Sequence, residues 1–268
     1  MTTILNTRQI KKRKLSAGSA PLSMLTAYDF QTAQLLNTTN LDLILVGDSL
    51  GNVILGYETT VEVTVADMIT FASAVKRGSP DKFVIVDLPF GSYSTIESGL
   101  KNSIKLFQKT KAEALKLEGA NSTSLELIQR LTETGIPIMG HIGLTPQSVH
   151  EQGGYYTHGK TKKREEQLKE EATALEKAGC FAIVLECIDK DLAKKITELI
   201  RIPTIGIGSG DQTDGQVLVT NDLLMMGPKA PPNFCRPIAN LYEIKKELIG
   251  NYLEKFKLNE KTLDPKVQ

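Results

Sequence analysis

A short apolar run, a polar or glycine break and then a helical pattern follow one another along most of this chain. The runs are "LSMLTAY" (22–28), "LDLILVGDS" (41–49), "KFVIVDLPF" (82–90), "EALKLEG" (113–119), "IPIMGHIGL" (136–144), "FAIVLEC" (181–187) and "IPTIGIGSG" (202–210). A weaker eighth is "QVLVTNDLL" (216–224). Between them, "TVADMITFASAVKRG", "STIESGLKNSIKLFQKTK", "STSLELIQRLTETG" and "TKKREEQLKEEATALEKAG" carry apolar residues at three- and four-residue spacing, the pattern of a helix with one buried face. Serines and threonines ahead of these segments are predicted N-caps, and Gly78, Gly135 and Gly179 predicted helix stops.

Near-continuous apolar strands alternating with amphipathic helices predict parallel strands covered by helices. Seven or eight such units in roughly 250 residues suit an α/β fold of the (β/α)8 or TIM-barrel type. A doubly wound open sheet is the alternative, and the absence of G-x-G-x-x-G after the first run counts against it. No linker or composition shift divides the 268 residues. A single barrel domain is therefore expected over 1–268, with an N-terminal arm over about 1–20 and a frayed tail from about 256.

The formal net charge of +1 gives no electrostatic case for nucleic acid or an anionic membrane as partner. No run approaches the roughly 18 apolar residues that span a bilayer. The start, "MTTILNTRQIKKRKLSAGSA", has four consecutive basic residues but lacks the apolar core of a secretory signal, and reads as a solvated arm. Cys180, Cys187 and Cys235, odd in number and without C-x-x-C spacing, predict reduced thiols in a cytoplasmic setting.

Acidic residues recur directly after the apolar runs: Asp48 after "LILVG", Asp87 after "FVIV", Glu118 at the end of "ALKL" and Glu186 after "AIVL". In a parallel barrel these positions share the C-terminal rim, where barrel enzymes place their chemistry. Carboxylates gathered there repel one another unless a cation sits among them. Hard oxygen donors without matching His or Cys favour Mg²⁺ or a similar divalent ion over zinc. In "EALKLEGA" (113–120), Lys116 and Glu118 stand two apart, so both side chains leave an extended strand on one face. Each residue also has an ordinary reading. Asp48 and Ser49 could cap the next segment, Asp87 could shape a turn before Pro89, and Glu118 could simply pair with Lys116. His141, closing "IPIMG", is open between a hydrogen-bonded barrel-top residue and a catalytic one. "GIGSG" (206–210) would let a ligand approach backbone N–H groups.

Taken together, "MLTAYD", "ILVGDSLGNVILGY", "VDLPFGSY", "LKLEGA", "GHIGLTPQS", "QGGY", "LEC" and "IGIGSG…DGQVLV" closely resemble the ketopantoate hydroxymethyltransferase family, in the family's order and from about residue 20 to 235. The resemblance implies a phosphoenolpyruvate mutase/isocitrate lyase-like barrel. It implies transfer of a hydroxymethyl unit from 5,10-methylenetetrahydrofolate to 3-methyl-2-oxobutanoate, giving 2-dehydropantoate for pantothenate and coenzyme A biosynthesis through a metal-stabilised enolate. By position it implies Asp48, Asp87 and Glu118 around Mg²⁺, with Asp48, Ser49, Asp87 and Lys116 contacting the keto acid. Glu186 is implied as proton acceptor, with Lys116 and His141 beside it as catalytic groups. The family's habit implies a cytoplasmic homodecamer. The chain departs from the family pattern at Thr213, where members often carry Cys, and in "GGYYTHGK" after the Gly-Gly-Tyr.

The segment "QGGYYTHGK" (152–160), with Tyr155 and Tyr156, is expected to close over the mouth and exclude water. Two other classes remain alongside the transferase: a carbon–carbon lyase or mutase of the related barrels, and a non-catalytic metabolite-binding scaffold. Intact acidic residues in all four motifs count against the last.

Overall fold

The computed structural model describes residues 4–14, 20–154 and 156–257. Eight strands, β1 (Leu22–Thr26), β2 (Leu43–Val46), β3 (Phe83–Asp87), β4 (Ala114–Glu118), β5 (Ile138–Gly143), β6 (Ala182–Glu186), β7 (Thr204–Ile207) and β8 (Gly215–Leu218), close a barrel in chain order. Every neighbouring pair is parallel. The predicted (β/α)8 architecture is therefore the fold. The eighth run is the weak one, as its pattern suggested. Its strand stops at Leu218, and Asn221 and Asp222, poor strand formers, fall instead in a one-turn helix.

The helices in chain order are α1 (Thr7–Lys11), α2 (Phe30–Asn37), α3 (Leu50–Val53), α4 (Val65–Gly78), α5 (Ile96–Thr110), α6 (Ser122–Glu133), α7 (Val149–Gln152), α8 (Lys162–Ala178), α9 (Lys190–Leu199), α10 (Thr220–Leu223) and α11 (Leu241–Lys257). Thr64, Thr95 and Thr161 cap α4, α5 and α8 by accepting from backbone N–H groups of the first turn. At α6 the cap is Asn121, one residue before the serine. Gly179 ends α8 in the left-handed conformation, at φ 106°.

Strand periodicity sorts the core into two shells. Residues such as Ile44, Val84, Val86, Leu115, Leu117, Ile183 and Leu185 pack outward against the helices. Their alternates, Leu43, Leu45, Phe83, Ile85, Ala114, Met139, Ala182 and Val184, fill the barrel interior. The inward set of β3 continues to Asp87, that of β4 to Lys116 and Glu118, that of β5 to His141 and that of β6 to Glu186. The barrel is apolar at its base and ionic at its top.

The arm differs from the solvated segment expected. Among its described residues, Ile10 is wholly buried and packs with Leu22, Met24 and Phe83 inside the barrel, with Ile4 and Leu5 beside it. The basic run does not stay free either. Lys14 Nζ lies 2.8 Å from the buried Asp214 carboxylate, and Arg13 3.5 Å from Asp42. Three apolar side chains interleaved with the charges make burial favourable where the net charge alone suggested solvent.

Residues Met1–Val219 make one compact unit, which holds the barrel, and Thr220–Gln268 a second, which holds α10 and α11. In α11 no described side chain is buried. The helix runs to Lys257, so the tail expected from about 256 lies almost wholly outside the described residues.

Candidate active site

Every site residue named from the sequence lines one cavity at the barrel top: Asp48, Ser49, Asp87, Lys116, Glu118, His141 and Glu186. Its volume is about 90 Å³, well beyond a single water, and its apolar walls come from Leu45, Val184, Ile207, Val217 and neighbours. The residues meet because parallel register sets strand ends side by side. Asp87 is the Cα partner of Lys116, Glu118 of His141, and Glu186 of Gly143.

The capping reading of Asp48 and Ser49 fails on geometry. Neither Asp48 nor Ser49 caps α3 with its side chain. The Asp48 carboxylate instead accepts from Gln147 Nε2 at 2.8 Å, and Ser49 Oγ pairs with the buried Tyr28 hydroxyl at 2.8 Å. Asp87 Oδ2 accepts from the Asp48 backbone N–H at 3.1 Å and lies 3.2 Å from Lys116 Nζ. Lys116 is also 3.9 Å from Glu118 Oε1. The shared face of Lys116 and Glu118 is thus more than a rim salt bridge, because the ammonium sits among three buried carboxylates.

His141 joins the two halves of the cavity. Its Nδ1 lies 3.4 Å from Glu118 Oε1 and its Nε2 3.2 Å from Glu186 Oε2. Nε2 and Glu118 Oε1 both lack an aligned hydrogen bond, so these are contacts of charge more than directed bonds. Lys116 Nζ stands 3.3 Å from Nδ1, which the carboxylates on either side make tolerable.

Burial and mutual repulsion shape the ionisation. Burial, then the charges of Glu118 and Asp87, push Asp48 well above the usual carboxylate range, against the pull of Lys116 and Gln147. Burial also raises Asp87, with Lys116 opposing it. At Glu118 burial is outweighed by His141, Lys116 and the Gln147 backbone amide, and its carboxyl lies below the usual value. For His141, burial and the Lys116 charge act downward, but Glu118 and Glu186 prevail and hold it up at about 9. Lys116, despite burial, is raised by Asp87, Glu118 and Asp48. Lys116 and His141 thus both draw on the surrounding carboxylates.

The donor set fits a small hard dication. Asp87 Oδ1 is buried without a hydrogen bond among the described residues, a costly state for a carboxylate oxygen unless a cation meets it. Glu118 Oε1, also without one, faces His141 Nδ1 at 3.4 Å and Lys116 Nζ at 3.9 Å. As the side chains stand, no three Asp, Glu, His or Cys of the described residues form a ready cage, and the Lys116 ammonium lies 3.2 Å from Asp87 and 3.9 Å from Glu118. Asp48, Asp87 and Glu118 are the residues that could hold such an ion.

Two features lay beyond sequence reasoning. Gln147, inside the quoted "GHIGLTPQS", carried no charge to mark it, yet it binds both Asp48 and Glu118. Gly143, at φ 99°, lets β5 and β6 close up, since a Cβ there would stand 2.2 Å from the Glu186 carbonyl oxygen. Glu186 is followed by Cys187 in the left-handed region, at φ 48°, which turns the chain sharply at the rim. The described residues around His158 are tied to this turn. His158 N–H donates to the Cys187 carbonyl at 2.7 Å, Asp189 N–H to the His158 carbonyl at 2.9 Å, and Tyr156 stacks on His158 with ring centroids 4.3 Å apart. Tyr155, the other half of the expected closure, lies outside the described residues. The three cysteines are free. No described helix is long and apolar enough to cross a membrane.

The family model described as ketopantoate hydroxymethyltransferase matches residues 5–260. A 3-methyl-2-oxobutanoate hydroxymethyltransferase of Thermotoga sp. (strain RQ2) is 51% identical over 241 residues, covering 90% of this chain and 87% of the relative. The enzyme of that description from Geobacillus sp. (strain WCH70) is 45% identical over 248 residues, covering 92% and 88%. Among solved structures, 2,3-dimethylmalate lyase, a PEP mutase/isocitrate lyase superfamily member, superposes with a TM-score of 0.62 at 16% identity, covering 98% of this chain and 92% of that one. A phosphonopyruvate hydrolase in complex with oxalate and Mg²⁺ gives 0.58 at 11% identity, covering 94% and 86%. At such identities the likeness concerns the fold.

Proposed function

The chain belongs to the ketopantoate hydroxymethyltransferase family, and from that premise we propose that it transfers a hydroxymethyl unit from 5,10-methylenetetrahydrofolate to 3-methyl-2-oxobutanoate, forming 2-dehydropantoate. The observation that carries this reading is the convergence of Asp48, Asp87, Lys116, Glu118, His141 and Glu186 on one small cavity with apolar walls. A keto acid offers that cavity both an anionic end and a branched apolar end.

The difficult step is removal of the hydrogen from C3, a tertiary carbon beside a ketone. Glu186 takes that proton, and the C–H electron pair passes into the enolate. Asp48, Asp87 and Glu118 would hold a divalent ion, Mg²⁺ or similar, which would supply Lewis acidity to enolate formation when bound. Lys116 offers its buried positive charge to the substrate carboxylate, and Ser49, fixed by Tyr28, offers a hydroxyl. His141, with Nε2 3.2 Å from Glu186 Oε2, orients the base in the cavity. The nucleophilic carbon then attacks the methylene carbon of the folate. As that C–C bond forms the methylene's bond to N10 breaks, and N10 takes the proton Glu186 removed. Water then displaces N5 from the same carbon, leaving its hydroxyl there and its other proton on N5, and tetrahydrofolate departs. Tyr156 and its neighbours limit reprotonation by keeping bulk water from the mouth. A cytoplasmic homodecamer belongs to the same reading, and sedimentation of the purified chain tests the assembly.

Incubation with 3-methyl-2-oxobutanoate in D₂O tests the chemistry. Deuterium should enter C3 only with a divalent ion present, and chelation should stop it. Glu186→Gln should slow exchange by roughly 10²- to 10⁴-fold, the usual contribution of a positioned base, while keto-acid binding stays within a few-fold. Exchange at the wild-type rate in that variant removes Glu186 from its role. Full turnover after chelation removes the ion.

A further inference from the structure

Gln147 occupies the 3-10 turn Pro146–Ser148 after β5, and is buried. Each polar atom of its side chain is spoken for. Nε2 donates to Asp48 Oδ2 at 2.8 Å and to the Leu88 carbonyl at 2.9 Å, while Oε1 accepts from the Tyr93 hydroxyl at 2.6 Å. Its backbone N–H donates to Glu118 Oε2 at 3.1 Å. Two acceptors on one side and a hydroxyl donor on the other admit only this orientation of the amide. One residue therefore grips two carboxylates that come from opposite sides of β3.

The chemistry of that grip is selective. A neutral donor steadies an anion without cancelling its charge, so Asp48 and Glu118 keep their attraction for a cation. The bond to Glu118 occupies Oε2 and leaves Oε1 without a hydrogen bond. A Lys or Arg in this place would neutralise the pair, and a carboxylate would repel it. Tyr93 completes the device from outside. It is half-buried and lines an adjoining cleft of about 460 Å³, whose wall also includes Glu118 and Gln147.

We propose that Gln147 is a positioning residue which, oriented by Tyr93, holds Asp48 and Glu118 in the arrangement that takes up a divalent cation. The inference rests on the reading of those carboxylates given above, and metal uptake without substrate tests the two separately. Mn²⁺ is the probe, titrated into metal-free protein and followed by the electron paramagnetic resonance signal of the free ion. Wild-type protein should bind it, and Gln147→Leu, close in volume but without donors or acceptor, should bind 10- to 100-fold more weakly, as is typical when a ligand's hydrogen-bond partner is removed. Tyr93→Phe, which keeps the ring, should weaken binding by several-fold. Circular dichroism checks that each variant folds. A folded Gln147→Leu that binds Mn²⁺ within twofold of wild type overturns the inference. Should that variant fail to fold, unchanged affinity in Tyr93→Phe overturns it instead. Wild-type protein that takes up no Mn²⁺ overturns the metal reading and this inference with it.

Discussion

His141 Nε2 stands 3.2 Å from Glu186 Oε2, while the other nitrogen of the same ring stands 3.4 Å from Glu118 Oε1. The imidazole is thus the electrostatic link between the proposed base and a proposed metal ligand, and it is almost wholly buried.

A pH dependence follows from that placement. Held at about 9 against an ordinary 6.5, His141 keeps a proton in the folded chain that the unfolded chain has lost. Its contribution is whole below 6.5 and declines as pH rises to about 9. The interval corresponds to something on the order of 3 kcal/mol. Urea unfolding of chelated protein at pH 6 and pH 10 should show wild type losing more stability than His141→Gln over this range. Equal losses in both would mean that the ring is neutral at pH 6.

Lys116 sits among Asp87, Glu118 and Asp48 with little exposure. Lys116→Met keeps the length of the side chain but leaves buried anions facing one another, at a cost of about 3–5 kcal/mol in metal-free protein. A divalent ion replaces the lost charge. Adding Mg²⁺ should therefore raise the Tm of the variant more than that of wild type. A metal-free variant as stable as wild type would contradict the ionic account.

Gly143→Ala places a Cβ within 2.2 Å of the Glu186 carbonyl oxygen at a backbone φ of 99°. Backbone cannot swing aside as a side chain can, so the end of β6 must shift. The expected loss is at least about 2 kcal/mol of stability, with kcat down by up to about 10²-fold through misplacement of Glu186. Unchanged kcat in a stable Gly143→Ala protein would show that the strand end tolerates the movement.

Ile10→Ala tests the base of the barrel. The side chain is wholly buried among Leu22, Met24 and Phe83, so truncation should cost about 3 kcal/mol in denaturant unfolding. kcat/KM should stay near wild type, because the cavity lies at the opposite rim. A loss below about 1 kcal/mol would return the arm to solvent.

The chain's own alternation carried the fold. Apolar runs such as "KFVIVDLPF" and helices such as "TVADMITFASAVKRG" announce themselves through periods of a few residues, and closure of parallel units into a barrel follows from how such units can pack. The shared rim of Asp48, Asp87, Glu118 and Glu186 and the shared face of Lys116 and Glu118 were equally legible, because position along a strand and strand parity are local properties. Tertiary structure decided which of them touch. Register and barrel closure placed the Lys116 ammonium among the carboxylates and His141 between Glu118 and Glu186. Gln147 had no period and no charge to reveal it, and it became a hub because a turn after β5 delivered its amide to Asp48, a residue 99 positions away. Ile10 read as part of a basic arm until the open base of the barrel offered it an apolar seat. Periodicity fixes where a side chain points, whereas its partners across the barrel depend on closure of the whole sheet, which no short window of sequence contains.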